Sequence, residues 1–231
     1  MNRYIFLDID GVLNTERHAK YQVEQLGISW TIDQYFDPIS MRLLAEIVNK
    51  TNAYLIISST WRTNSYYWTR KKKYGYVSLT LSEEESAVRQ REISIESHRR
   101  DMWESILRNL DIYGIAGRII GVTPWFSWKD NIIPKGYNGS PPRGTEIKFW
   151  LEEFGQFPYT FAIIDDDADM HTLIPWLCKC DYRTGIIDNV KDQALNLLLN
   201  DPNPPIDVKY IHSDIAHLIN SDAFKLKIGE K

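Results

Sequence analysis

The apolar run Tyr4-Ile5-Phe6-Leu7 ends in Asp8-Ile9-Asp10-Gly11, two aspartates one residue apart followed by a glycine. The run has the length of a strand, and side chains along a strand alternate faces, so positions i and i+2 begin on the same side. At a strand's carboxyl end Asp8 and Asp10 can therefore converge in the crevice where open α/β sheets bind ligands. Two convergent carboxylates repel each other unless a cation or a shared proton offsets the charge. The economical reading is a Mg²⁺ site with one carboxylate free to attack. The plainer reading is a pair of solvated loop aspartates before a glycine turn.

The rest of the chain repeats the pattern of an apolar run ending in polar residues. Asp37-Pro38 opens a helix with Met41, Leu43, Leu44, Ile47 and Val48 on its apolar face: Asp caps, and Pro fits the first turn. Ala53–Ile57 reads as a buried strand followed by Ser58 and Ser59. Arg118–Val122 is a third strand ending in Thr123, and Tyr159–Ile164 a fourth ending in Asp165-Asp166-Asp167-Ala168-Asp169. Helices are predicted around Met102–Leu110 and Gly144–Phe154, and after Asp188, which is expected to cap. Leu177–Asp181 is a short fifth strand. Thr15–Tyr35 lacks clear periodicity and reads as a flap or loop. Trp125–Pro142, rich in Gly, Pro and Trp, reads as an exposed loop or hairpin.

Strands alternating with helices predict an α/β fold with a central parallel sheet and helices on both faces. Right-handed crossovers put every strand's carboxyl end on one edge. Asp8 and Asp10, Ser58 and Ser59, Thr123, and Asp165–Asp169 then share that edge. Solvation alone does not explain four strands ending in the same chemistry.

In their order and spacing these motifs resemble the haloacid dehalogenase (HAD) superfamily of phosphohydrolases. Asp8-Ile9-Asp10-Gly11-Val12-Leu13 is similar to its first motif, Ser58-Ser59 stands where the family has Thr or Ser, a basic residue opens a later helix, and an acidic cluster follows strand four. Ser59-Thr60-Trp61-Arg62, Arg143-Gly144-Thr145-Glu146-Ile147 with Trp150-Leu151, and Thr184-Gly185 look like one branch, the HAD-like domains associated with RNA-repair proteins. The resemblance implies a Rossmann-like core over 1–62 and 101–200, with an inserted arm or small cap at 63–100 and a C-terminal extension at 201–231.

It also implies a Mg²⁺-dependent phosphohydrolase working through an aspartyl-phosphate. Asp8 would be the nucleophile, and Asp10 the acid that protonates the leaving oxygen and the base that then activates water. Mg²⁺ prefers oxygen ligands. Asp8, the backbone carbonyl of Asp10, and a carboxylate of the strand-four cluster match that need, Asp165 first because it directly follows the strand and Asp166 next, and Asp169 could orient a water on the ion. Ser58 or Ser59 would hydrogen-bond a phosphate oxygen, with Ser58 favoured because it comes first after the apolar run. The family usually has Lys as its basic residue; here Arg143 stands at the helix start and Lys148 lies one turn on. Arg binds phosphate bidentately but does not replace Lys like for like. As plain structure, the serines are ordinary strand-end residues and Arg143 a surface residue after two prolines.

Composition narrows the partners. A net charge of −4 argues against a generally basic nucleic-acid binder. Residues 61–76 nonetheless interleave Trp61, Tyr66, Tyr67, Trp68, Tyr74 and Tyr76 with Arg62, Arg70, Lys71, Lys72 and Lys73. Aromatics in a basic groove are how single-stranded nucleic acid is held, so one reading is that the phosphomonoester substrate implied by the resemblance, otherwise a small metabolite, is a nucleotide or a nucleic-acid end. The competing reading of this stretch is a solvated arm whose aromatics pack on the core or on a second subunit. Cys178 and Cys180, the only cysteines, are poorly placed to pair with each other and read as buried free thiols of a reducing cytosol. With no leader segment or membrane-length apolar run, a cytoplasmic location without membrane contact is expected. The rival readings are a HAD-fold binding module without catalysis, a receiver domain, which is shorter and lacks this DxDG, and a metal-dependent nucleotide-sugar transferase, whose Asp-x-Asp follows a nucleotide-binding half rather than opening the chain.

Overall fold

A computed structural model describes residues 1–27, 36–64, 97–123 and 142–200. β1 (Asn2–Leu7) lies at the centre of a five-stranded sheet. It pairs with β2 (Tyr54–Ile57) on one side and β4 (Tyr159–Asp165) on the other. β3 (Ile119–Val122) pairs with β2, and β5 (Leu177–Lys179) with β4. Every pairing is parallel, in the order β3-β2-β1-β4-β5.

Strand alternation divides the core. Ile5 and Leu7 of β1, with Ala162 and Ile164 of β4 and Leu55 and Ile57 of β2, face one way. They pack against α2 (Pro38–Thr51), α3 (Ser97–Ile112) and α5 (Asp188–Leu199) through Met41, Leu44, Ile106, Leu110, Val190 and Leu198, among others. Tyr4, Phe6, Ile56, Phe161 and Ile163 face the other way, against Ile147, Trp150 and Leu151 of α4 (Arg143–Phe154). The expected parallel sheet with helices on both faces is what forms, because central strands buried on both sides need an apolar partner for each.

Two local expectations are corrected. Within Thr15–Tyr35, read as a flap or loop, Glu16–Leu26 forms helix α1. Thr15 caps it, its Oγ1 accepting from the His18 N–H, and Gly27 closes it in the left-handed conformation with φ 64°. Its one buried residue is Gln22, and its larger apolar residues Tyr21, Val23 and Leu26 are exposed, so the helix is mostly polar and turns no apolar face to the core. The other correction concerns α5. Ile187 occupies its N-cap, and Asp188, expected to cap, is the first helical residue, with its carboxylate 2.8 Å from Lys191 Nζ.

Asp37 does cap α2, its Oδ1 accepting from the Ile39 N–H. α3 begins at Ser97, earlier than its apolar periodicity indicates. Cys178 and Cys180 are buried free thiols. Most of the 63–100 insertion, nearly all of the Trp125–Pro142 loop and the 201–231 extension lie outside the described residues. No helix among the described residues is long and apolar enough to cross a membrane.

Candidate active site

Register aligns the strand ends. Leu7 is level with Ile57 of β2 and Ile164 of β4, and Ile57 is level with Val122 of β3. The next residues, Thr123, Ser58, Asp8 and Asp165, therefore form one row across the carboxyl edge. Backbone hydrogen bonds run on into that row. Asp8 N–H donates to Ile164 O at 3.0 Å, Ser58 N–H to Leu7 O at 2.9 Å, and Thr123 N–H to Ile57 O at 3.0 Å. Since Leu7, Ile57 and Ile164 face the α2 side, alternation turns the row toward α4.

There the row meets the N-terminus of α4. Arg143 Nη1 lies 3.3 Å from Asp8 Oδ1 and also donates to the Ser58 carbonyl, while its Nε lies 3.6 Å from Asp165 Oδ2. Gly144 makes the approach close enough: a Cβ there would stand 2.3 Å from the Met170 carbonyl oxygen. Asp169 docks the same helix end, its Oδ2 accepting from the Arg143 N–H at 3.0 Å. Burial alone would lower the pKa of the Arg143 guanidinium, but Asp8, Asp165, Glu146 and Asp169 outweigh it and raise the pKa.

Asp8, Asp165 and Asp166 each contribute a carboxylate oxygen to a group lying within 4.8 Å of one another. Asp8 Oδ1 accepts from the Ile9 N–H at 2.8 Å, which fixes its rotation. Asp165 Oδ1 accepts from the Asp167 N–H, whereas its buried Oδ2 takes no hydrogen bond among the described residues. A buried carboxylate oxygen that takes no hydrogen bond and has only the longer ion pair to Arg143 Nε, beside two further carboxylates, suits a hard divalent cation. Asp166 reaches the group because Gly11, at φ 71°, has no side chain: a Cβ would fall 2.2 Å from Asp166 Oδ2.

The cluster sets a pH dependence. Burial first, then the Asp8 charge, push the Asp165 carboxyl up to about 8, and the same two causes raise Asp166. Between the ordinary Asp165 value of 3.8 and about 8, the folded protein keeps a proton that the unfolded chain has lost. A folded-state pKa raised in this way favours folding at the acid end and loses that contribution as pH rises through about 8. The metal-free protein should therefore melt at falling temperature as pH rises across this window, with Mg²⁺ flattening the dependence because it binds the deprotonated form. Melting curves in EDTA and in Mg²⁺ over the range would show it; parallel curves would argue against metal binding at these carboxylates.

Asp10 takes a different position. The strand has ended at Leu7, and the chain turns so that Ile9 O accepts from the Leu13 and Asn14 N–H groups, both at 2.9 Å. Strand alternation no longer governs Asp10, which is exposed and is not among the three clustered carboxylates. Its Oδ1 accepts from Asn14 Nδ2 at 2.9 Å and its Oδ2 from the Trp61 indole N–H at 2.8 Å.

Both serines are fully buried. Ser59 Oγ accepts from the Trp61 N–H at 3.3 Å, opening the 3₁₀ turn Thr60–Asn64. Ser58 Oγ has no hydrogen-bond partner among the described residues. Lys148 is buried within α4, five residues beyond Arg143.

Three residues gain roles that the sequence reading did not assign. Arg62, buried beneath the strand ends, donates to the carbonyls of Ser58, Ser59 and Thr123 and forms an ion pair with Glu146 of α4. Burial pulls its pKa down and Glu146 partly offsets this. Trp61, only 6% exposed, packs edge-on against Phe36. Trp61 and Arg62 are thus core residues, and their place in an aromatic and basic groove is corrected; residues 66–76 of that stretch lie outside the described residues. The available signal was the position of both directly after the Ser58-Ser59 strand end, together with Glu146 one turn into the helix that Arg143 opens.

Residues 4–93 match the model of a family described as the HAD domain in Swiss Army Knife RNA repair proteins. No curated protein and no solved structure matches the chain.

Proposed function

From a chain whose residues 4–93 match a HAD domain found in RNA repair proteins, we propose a Mg²⁺-dependent phosphohydrolase that cleaves a phosphomonoester through an aspartyl-phosphate on Asp8. The observation that carries the reading is the convergence of Asp8, Asp165 and Asp166 within 4.8 Å, with Arg143 against Asp8. Three carboxylates beside one guanidinium suit a cation followed by an anionic substrate better than a purely structural role. The carboxylates of Asp8, Asp165 and Asp166, with the backbone carbonyl of Asp10, would hold Mg²⁺. Once bound, the ion offsets the repulsion between Asp8 and the phosphate dianion and withdraws charge from the phosphoryl oxygens.

The chain's own groups supply the remainder. An Asp8 oxygen forms a bond to phosphorus as the bond to the leaving oxygen breaks, and Asp10 gives that oxygen its proton. Asp10 then takes a proton from the water that attacks the aspartyl-phosphate, releasing phosphate and restoring Asp8. Arg143 neutralises the equatorial oxygens, for which its planar fork is suited. Ser58, the serine whose hydroxyl is not engaged in the turn, donates to one of them. The substrate class we favour is a nucleotide or an RNA end, because the matching family is described by its occurrence in RNA-repair proteins.

The test is phosphate release from p-nitrophenyl phosphate, mononucleotides, sugar phosphates and oligonucleotides bearing 3′- or 5′-phosphates, in Mg²⁺ and in EDTA. Turnover that requires Mg²⁺ and is fastest on nucleotides or oligonucleotide ends is expected. Mg²⁺ binding without turnover on any substrate would replace the enzyme with a HAD-fold binding module.

A further inference from the structure

Trp61 belongs to none of the catalytic assignments above, yet it touches one of them. Its indole is wedged in the core. The ring meets Phe36 with centroids 5.8 Å apart, and the Phe36 N–H donates to Asn109 Oδ1 at 2.8 Å. Asn109 is in turn anchored to the Ser105 carbonyl within α3. From this fixed base the indole N–H reaches the exposed loop and donates to Asp10 Oδ2. On the opposite oxygen, Asn14 Nδ2 donates to Oδ1. Asn14 is itself held by its own N–H to Ile9 O and by its carbonyl, which accepts from the Gly11 N–H.

We infer that Trp61 is a positioning residue for Asp10: with Asn14 it clamps both carboxyl oxygens and so holds the carboxyl plane in one orientation. The inference rests on the reading of Asp10 as acid and base. A carboxyl group on an exposed loop otherwise rotates freely about its Cβ–Cγ bond, and proton transfer needs the donor oxygen within hydrogen-bond reach of the leaving oxygen. In the first step Asp8 bonds to phosphorus, the ester bond breaks, and the leaving oxygen takes the Asp10 proton. An alkoxide needs that proton as it departs; a nitrophenolate is stable without it. The clamp therefore matters for alkyl esters and hardly for activated aryl esters.

Trp61→Phe keeps an aromatic ring beside Phe36 and removes the N–H together with part of the indole's volume. Its kcat/KM, which reports the first chemical step, should fall roughly ten- to a hundredfold on an alkyl phosphomonoester and no more than about threefold on p-nitrophenyl phosphate. Asn14→Ala, which leaves the Trp61–Phe36 contact untouched, should show the same leaving-group pattern, and Asp10→Asn a larger version of it. The indole N–H proton resonance lost in Trp61→Phe should move in Asp10→Ala, a readout independent of turnover. Equal losses on both esters, or no loss, would overturn the positioning role and leave the phosphatase reading standing. Absence of wild-type turnover on both esters would overturn the two together. An indole resonance indifferent to Asp10→Ala would remove the contact itself.

Discussion

Asp8→Asn lowers turnover by on the order of 10⁴-fold or more while leaving the fold intact, if Asp8 is the nucleophile. The amide is isosteric with the carboxylate and can still accept from the Ile9 N–H, which Asp8 Oδ1 does at 2.8 Å. What it lacks is the negative charge that the proposed attack on phosphorus and the proposed cation site both require. The same change should hold or raise the melting temperature of the metal-free protein, because the Asp8 charge repels both Asp165 and Asp166 and helps raise their pKa values. With one ligand gone, the stabilisation conferred by added Mg²⁺ should shrink. Initial rates beside melting curves in EDTA and in Mg²⁺ separate these effects. Turnover retained at near wild-type level would exclude Asp8 as the nucleophile; turnover lost together with the fold would make its role structural.

Arg62→Met should give the largest loss of stability, about 3–5 kcal/mol, the range for breaking a buried ion pair by removing one partner. The side chains of Arg62 and Glu146 are 2% and 8% exposed, so solvent screens the pair little. The substitution leaves the Glu146 carboxylate buried beside a thioether and takes a donor from the carbonyls of Ser58, Ser59 and Thr123. Removing both charges, as Arg62→Met with Glu146→Leu, should recover part of the loss, because the main penalty is a buried charge without its counter-charge. Urea denaturation of the two single variants and the double variant measures this coupling. A midpoint unchanged in Arg62→Met would show that the strand ends are held by other contacts.

The core strands were legible because their signal is local. Apolar runs of strand length followed at once by Asp or Ser mark both the strand and its functional end, at Leu7-Asp8, Ile57-Ser58 and Ile164-Asp165. Helix α2 was legible for the same reason, with its cap, its proline and its apolar stripe inside fifteen residues. Helix α1 was not, because its sequence is mostly polar and its few apolar residues, such as Val23 and Leu26, stay exposed rather than joining the core; its clearest signals were its two ends, Thr15 and Gly27. Within the site, motif order suggested a row of strand-end residues, and register brought Asp8, Ser58, Thr123 and Asp165 to one level. In the acidic run after β4, sequence put Asp165 first because it directly follows the strand, with Asp166 close behind and Asp169 as a residue that could orient a water. Register sets Asp165 beside Asp8, the turn at Gly11 admits Asp166, and the docking of α4 directs Asp169 to the Arg143 N–H.

The amino-acid sequence by itself determined a parallel α/β sheet with acidic and hydroxyl groups gathered at one edge, since alternation, strand length and crossover handedness follow from local backbone sterics and apolar patterning. Tertiary structure decided the partners. Trp61 and Arg62 look like members of an aromatic and basic arm when read beside Tyr66, Trp68 and Arg70, yet the fold gives one to the Asp10 carboxylate and the other to Glu146, eighty-four positions away. A side chain's charge and ring are written in the sequence. Which buried group it satisfies depends on chain segments that meet only after the sheet has formed, because a desolvated charge or N–H must find its partner wherever packing has placed one.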